Sequence, residues 1–106
     1  MIRYEVNLEI DENIYNEFYL WLKEEHIAEV LQFKGFLNAN IYEENNATQK
    51  RNLVVVYDLD DMENLSNYFT EHAPVMRSKG ISKFGTQFKA SRRILELKQV
   101  FNNEFE

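Results

Sequence analysis

His26 is the residue of this sequence whose side-chain chemistry is most useful near neutral pH. It stands near the end of the first predicted helix, where its imidazole could act as a general base or hydrogen-bond a ligand between helix and sheet. Alternatively, it is a structural histidine that fixes the helix end, with Tyr42 or a backbone carbonyl as its partner. Only Glu25 and Glu29 have metal-ligand spacing with it, and because that pattern is generic we predict no metal site.

The second candidate site surrounds the pair Ala73-Pro74, with His72 before it and Arg77 after it. Proline has no amide hydrogen and clashes with the preceding turn, so we predict a helix break at Ala73. The new helix N-terminus could receive an anion, and Arg77 could bind a carboxylate through two parallel hydrogen bonds. Alternatively, Pro74 only shapes the helix and Arg77 pairs with a surface acid.

The third candidate is the pair Arg92 and Arg93 on the last predicted strand. Side chains alternate across a strand, so the two arginines point to opposite faces of the sheet and one of them faces the helices or the space between two sheets. A salt bridge to Glu5 or Glu9 is the simpler role. The more specific role is recognition of an acidic ligand, for which Arg92 is our candidate.

Aromatic side chains are numerous enough to line a pocket for a planar ligand, although the same spacing also describes a plain core. We expect a pocket between the helices and the sheet, lined by Trp21, His26, Tyr42 and Tyr57.

Composition limits the class of protein. The 106 residues indicate one domain, which we place at residues 1–98 and follow with a polar tail at 99–106. The absence of cysteine excludes disulfides, thiolate metal sites and thiol nucleophiles. The start has no basic segment followed by an apolar run, and no stretch is long and apolar enough for a membrane span. We therefore expect a cytoplasmic protein that makes no membrane contact.

Charge is distributed unevenly along the chain. The net charge is −6, whereas residues 77–98 carry seven basic side chains and one acidic side chain. This basic segment could form an anion site, or acidic groups on neighbouring strands or a partner subunit could neutralise it. Because the overall balance is acidic, we predict no binding to nucleic acid.

The first half of the chain predicts two strands around one helix. Apolar and polar residues alternate over 2–10, which predicts a strand with one apolar face. Asp11 is the predicted cap of the helix that follows, which bends or restarts near Glu25-His26 and ends before Gly35. Residues 36–44 form the second predicted strand.

The second half repeats this pattern after a polar hairpin loop at residues 44–50. The third strand, 53–59, contains LVVVY, which suggests burial on both faces. Asp60 and Glu63 resemble a capping box for a second helix, which breaks at Pro74 and ends near Gly80. Residues 86–97 form the last strand.

The order β-α-β-β-α-β is that of the ferredoxin-like α+β fold with an antiparallel sheet. Helices on one face of such a sheet leave its other face uncovered, and the third strand is apolar on both faces. Two sheets packed face to face would solve this, so we predict a homodimer in the form of a dimeric αβ barrel.

Five segments carry a resemblance to a known family: YEVNL at 4–8, HIAEV at 26–30, KGF at 34–36, HAPVMRSKGISKFG at 72–85 and FKASRRIL at 88–95. Together they are similar to an uncharacterised family of small bacterial proteins in the dimeric αβ-barrel superfamily, which also contains antibiotic-biosynthesis monooxygenases. The resemblance implies the fold and dimerisation but no particular reaction. Monooxygenases of this superfamily that work without a cofactor bind a phenol or quinol near O₂.

The haem-degrading branch of the same superfamily uses an asparagine on the first strand, with a tryptophan and a haem-ligating histidine on the second helix. Asn7 matches the asparagine, whereas Tyr68 and Ser78 stand where the tryptophan and the histidine belong. We therefore predict no cofactor.

Three functions remain open. The first is a homodimer that binds a small aromatic or carboxylated molecule through Trp21, His26, Tyr42, Tyr57, His72, Arg77 and Arg92. The second is a cofactor-free monooxygenase with His26 as its catalytic candidate, and the third is a non-catalytic interaction or regulatory module.

Overall fold

A computed structural model describes residues 1–45 and 50–104 of the chain. It contains a four-stranded antiparallel sheet in the order β2-β3-β1-β4. The strands are β1 (Ile2–Ile10), β2 (Phe36–Glu43), β3 (Arg51–Leu59) and β4 (Phe88–Glu96). The predicted βαββαβ order is confirmed, and part of the predicted loop at 44–50 lies outside the described residues.

The first helical region changes its winding three times. A 3₁₀ turn (Glu12–Ile14) leads into α1 (Tyr15–Trp21), which continues through a π-helical turn (Leu22–His26) into α2 (Ile27–Val30). The π turn accommodates one extra residue, so the residues after it return to the core face. The irregularity predicted near His26 is therefore real, but it begins earlier, at Leu22.

The predicted cap of this region is wrong. The side chain of Asp11 makes no capping hydrogen bond, and its carboxylate lies 3.6 Å from the Nζ atom of Lys50 instead. The backbone carbonyl of Asp11 accepts a hydrogen bond from the amide of Ile14, which starts the 3₁₀ turn.

The second helical region is divided where proline predicts. It consists of α3 (Met62–Glu71) and α4 (Ala73–Phe84), with His72 between them in a non-helical conformation. The predicted end near Gly80 is wrong, because a glycine inside a helix costs only about 1 kcal/mol and need not stop it. Helix α4 ends instead at Gly85, whose φ of 59° suits a residue without a side chain.

The cap of α3 is also one residue later than predicted. Asp61 accepts a hydrogen bond from the backbone amide of Asn64, whereas Asp60 accepts one from the side-chain amide of Asn64. Gly35 lies against this corner with a φ of 92°, and a Cβ atom there would be 2.5 Å from the Cβ of Asn64. Glycine is thus required where the chain enters β2 beside α3.

The helices pack on one face of the sheet, which we call the inner face. In β1 it carries Ile2, Tyr4, Val6, Leu8 and Ile10, and the β3 side chains paired with the first four of them belong to the same core. The opposite, outer face carries no helix. In β3, Val55 on the inner face and Val56 on the outer face are both buried, which confirms the prediction for the apolar run of this strand.

Among the described residues, no helix is both long and apolar enough to cross a membrane. After β4, residues 97–104 form neither helix nor strand. The amide of Leu97 donates a hydrogen bond to the carbonyl of Met1, and Phe101 is exposed.

Candidate ligand-binding site

A cavity of about 560 Å³ lies between the inner face of the sheet, the first helical region and α4. Ligand pockets in proteins commonly fall between about 300 and 1,000 Å³, so the size suits a small organic molecule. The lining is mainly apolar and aromatic, with a few polar groups: Tyr4, Val6, Leu8, Phe18, Trp21, Leu22, His26, Val30, Val55, Tyr57, Tyr68, Met76, Arg77, Gly80, Ile81, Gly85, Thr86, Phe88, Lys89, Ala90 and Arg92.

The π turn supplies the histidine of this cavity. The ring of His26 stacks on the indole of Trp21 with their centroids 4.5 Å apart and their planes at 23°. Its Nδ1 atom is buried and has no hydrogen-bond partner in the described part of the chain. No contact joins it to Tyr42, so the helix-anchoring role proposed for that pair does not occur.

His26 is uncharged at neutral pH. Burial lowers the pKa of its imidazole to about 4, with nearby Glu29 opposing this shift and nearby Lys79 and Arg92 adding to it. Glu29 is itself held by an ion pair with Lys79, which joins α2 to α4. A neutral imidazole can accept or donate one hydrogen bond at each nitrogen, depending on its tautomer.

Three tyrosines line the cavity, two from the sheet and one from α3. The rings of Tyr4 and Tyr57 stack with their centroids 5.8 Å apart, and Tyr68 of α3 tilts against Tyr4 at 6.4 Å. Burial raises the pKa of Tyr57 far above 10, and neighbouring Tyr68 and Tyr4 raise it further against the opposing effect of Arg92. Burial likewise raises the pKa of Tyr68 to about 12. Both phenols therefore stay protonated and can donate hydrogen bonds.

The strand register decides which of the paired arginines faces the cavity. Arg92 lies opposite Val6 of the inner face, whereas Arg93 lies opposite Glu5 of the outer face. The Nε atom of Arg93 is 2.7 Å from a carboxylate oxygen of Glu5, so the predicted salt bridge to Glu5 or Glu9 is confirmed for Arg93. Arg92 lines the cavity together with Arg77 of α4.

Two of the predicted site residues lie outside the cavity. Tyr42 pairs with Val54 on the outer face and is 57% exposed, because strand alternation groups it with Asn38 and Asn40. His72 stacks on Phe33 with a centroid distance of 4.1 Å, at the corner between α3 and α4. The structure therefore brings together Trp21, His26, Tyr57, Arg77 and Arg92, but neither Tyr42 nor His72.

Tyr68 and Gly80 line the cavity but were not predicted to do so. The position of Tyr68 could have been inferred, because it follows buried Leu65 at helical spacing. Gly80 gave no such signal. It lets Trp21 approach α4, since a Cβ atom there would lie 3.2 Å from Cη2 of the indole.

The residues do not fit the haem arrangement of the haem-degrading branch. The side chain of Asn7 belongs to the outer face, because it pairs with Val54 and Ser91, and not to the cavity. The hydroxyl of Ser78 donates to the carbonyl of Val75 on exposed helix surface. Within residues 1–45 and 50–104, no group of three or more histidine and carboxylate side chains could hold a metal ion.

A family model matches residues 1–98, and it describes a domain of unknown function, DUF4286. No curated protein matches the chain. The match spans all four strands and both helical regions, and it ends two residues after β4.

Solved structures of similar fold cover nearly the whole chain. A candidate antibiotic biosynthesis monooxygenase from Deinococcus radiodurans has a TM-score of 0.73 at 13% identity, with 97% of this chain and 98% of that chain covered. SnoaB, a cofactor-independent oxygenase from Streptomyces nogalater, has a TM-score of 0.70 at 7% identity, with 96% and 97% covered. A dimeric ferredoxin-like protein from an uncultured marine organism has a TM-score of 0.63 at 17% identity, with 97% and 100% covered. At these identities the similarity shows the fold alone, and the predicted ferredoxin-like α+β class is confirmed.

Proposed function

The chain belongs to the family of this domain of unknown function, and we propose that it acts as a homodimer that binds a small planar molecule in the cavity. The observation that carries the proposal is the cavity itself, which stays open inside a domain of only 106 residues. A small domain has little core to spare, so a cavity of this size against the inner face of the sheet points to an occupant.

The lining suits a flat aromatic molecule. It includes the rings of Trp21, Phe18 and Phe88, and aromatic ring pairs gain about 0.5–1.5 kcal/mol beyond simple burial. The phenol hydroxyls of Tyr57 and Tyr68 and the imidazole of His26 supply directed hydrogen bonds. Few polar groups in an apolar cavity are typical of sites that orient one ligand.

Ligand binding can be measured by thermal unfolding with 1-naphthol as the probe. A probe at about 100 times its dissociation constant adds about 2.7 kcal/mol to the free energy of unfolding, so Tm should rise by several degrees. His26→Ala should abolish most of this rise. His72→Ala is the matched control, because His72 lies outside the cavity, and it should leave the rise unchanged.

Either of two results would count against binding in the cavity: no naphthalene derivative raises Tm, or both histidine variants respond like the native protein. The second result would place the probe elsewhere on the protein.

The outer face supports the homodimer. Buried Val56 lies in its centre, and the ion pairs Arg3–Asp58 and Arg93–Glu5 flank it without a helix to cover them. Asp58 is only 8% exposed although it lies on this uncovered face. A second sheet packed against this face would bury Val56, and the ion pairs would keep the charges beside it neutralised.

Light scattering tests the homodimer directly. The native protein should have twice the protomer mass of 12.7 kDa at micromolar concentration. Val56→Glu should reduce the mass to that of one protomer, because it places a charge in the centre of the proposed interface. Val75→Glu, on an exposed position of α4, is the control and should remain dimeric. A monomeric native protein would refute the homodimer.

A cofactor-free oxygenase is the second candidate, and one observation favours it: His26 is neutral and its Nδ1 atom has no partner in the described chain. Such an imidazole could take the phenolic proton of a reduced ring, whose anion then reduces O₂. One oxygen atom would convert a ring CH₂ to C=O, and the other would leave as water. Oxygen uptake without added metal or flavin, lost in His26→Gln, would support this reaction. If no reduced aromatic substrate causes oxygen uptake, the oxygenase is excluded and ligand binding without turnover is the function that stands.

A further inference from the structure

We propose that the cavity selects an anionic ligand, a planar aromatic carboxylate whose charge is held by Arg92 and Arg77. This inference rests on the proposed function, because it names the chemical class of the molecule bound at the same site. It predicts that the carboxylate is preferred over a neutral molecule of the same shape.

The five arginines of the chain divide into two groups. Three of them pair with carboxylates: Arg3 with Asp58 at 3.1 Å, Arg51 with Glu43 at 3.1 Å and Arg93 with Glu5 at 2.7 Å. The other two, Arg77 and Arg92, make no ion pair and no hydrogen bond with the described residues.

Both of the unpaired arginines line the cavity. The guanidinium of Arg77 lies 5.9 Å from the ring centroid of Phe69. Among the described residues, Arg77 and Arg92 are thus the two arginines without an acidic partner, and both have exposed side chains. An arginine fork without an acidic partner, held beside an apolar pocket, is suited to bind a carboxylate.

Among the described residues, no acidic side chain lines the cavity beside these two guanidinium groups. The residues that line the described cavity include Arg77, Lys89 and Arg92 but neither aspartate nor glutamate. Glu29 is the carboxylate that acts on the pKa of His26, and it is already paired with Lys79. The site is therefore positively charged in a protein whose net charge is −6, and such a local field attracts small anions.

The neighbouring donors suit the same ligand. The protonated hydroxyl of Tyr68 can donate to a carboxylate oxygen, and Arg77 and Arg92 are both close enough to this phenol to oppose the rise of its pKa. The aromatic ring would lie near Trp21, whose indole packs closely on α4 at Gly80. The cavity thus combines cationic donors near the tyrosines with the aromatic surface of the indole, and this combination suits an aromatic acid.

The test compares two probes of nearly equal shape, 1-naphthoate and uncharged 1-naphthamide. Trp21 is the single tryptophan and lines the cavity, so its fluorescence reports binding at this site. The native protein should bind the carboxylate about tenfold more tightly than the amide, as expected for one charge-assisted contact. Arg92→Gln should remove most of this preference.

Arg93→Gln is the matched control, because this substitution changes the net charge by the same amount as Arg92→Gln. Arg93 is adjacent to Arg92 in sequence but faces away from the cavity. It should leave the preference at its native value. Tighter carboxylate binding that Arg92→Gln alone reduces supports the inference.

Equal binding of the two probes, or equal losses in both arginine variants, overturns the inference and leaves the proposed function standing. Binding of neither probe overturns the proposed function, and the inference falls with it.

Discussion

Arg92 and Arg93 are adjacent in β4, yet they meet different surroundings on the two faces of the sheet. On the outer face Arg93 pairs with Glu5, while on the inner face Arg92 lines a cavity and has no acidic partner in the described chain. Strand alternation alone produces this division, because it sends successive side chains to opposite faces. On the outer face the guanidinium of Arg93 is thus neutralised within one chain, whereas on the inner face the guanidinium of Arg92 is available.

The same division applies to the tyrosines. Tyr57 is buried on the inner face and lines the cavity, whereas Tyr42 is exposed on the outer face. An inner face with protonated donors and unpaired cations is suited to bind a small molecule. An outer face with paired charges and a buried valine, Val56, is suited to pack against another sheet.

The largest effect should come from removing core packing on the inner face. Leu59 is fully buried there, so Leu59→Ala should reduce the free energy of unfolding by about 2–5 kcal/mol. Leu95→Ala is the corresponding substitution on the outer face. Because Leu95 is 38% exposed, this substitution should reduce the free energy of unfolding by only about 1 kcal/mol. Urea unfolding at one protein concentration measures both. Equal losses would contradict the distinction between the faces.

The next effect concerns pH. His26 has a folded pKa of about 4 against an ordinary 6.5, so between these values the unfolded chain binds a proton that the folded protein does not. The contribution of His26 to the free energy of unfolding is therefore complete above pH 6.5. It declines as pH falls towards 4, by up to about 3 kcal/mol.

His26→Phe keeps a ring against Trp21 but removes this titration. We expect the native protein to lose about 2–3 kcal/mol more than the variant between about pH 7 and about pH 4.5, as measured by urea unfolding. Equal losses in the two proteins would show that the imidazole of His26 is exposed to solvent and is not buried in the cavity wall.

The smallest effect should come from one hydroxyl. Tyr57→Phe removes a neutral donor from the cavity, so 1-naphthoate should bind about fivefold more weakly. Tyr42→Phe makes the same change on the outer face and should leave the dissociation constant unchanged. Fluorescence titration of Trp21 measures both values, and a comparable loss in the two variants would contradict the placement of the ligand.

Much of the fold follows from local patterns in the sequence. Alternation over residues 2–10 predicts β1 and its faces, and Pro74 predicts the break between α3 and α4. The family predicted from the five short segments is confirmed as well. Glycine proved ambiguous, because Gly80 permits close packing inside α4 while Gly85 ends this helix.

The candidate site was less predictable because it depends on contacts between distant segments. Arg92 could be placed on the inner face only once its register with Val6 was known. The π turn that brings His26 onto Trp21 has no recognisable signature beyond the interrupted helical pattern. Tyr42 shows the opposite case, because alternation already grouped it with Asn38 and Asn40, and its assignment to the pocket overlooked that pattern.

The most direct measurement of the central claim follows the Nε–H resonances of Arg92 and Arg93 by NMR while 1-naphthoate is added. The Arg92 resonance should shift and saturate with the ligand, whereas the resonance of Arg93, which is paired with Glu5, should stay in place. An unchanged Arg92 resonance in the presence of bound 1-naphthoate, or an equal shift of both resonances, would contradict this claim.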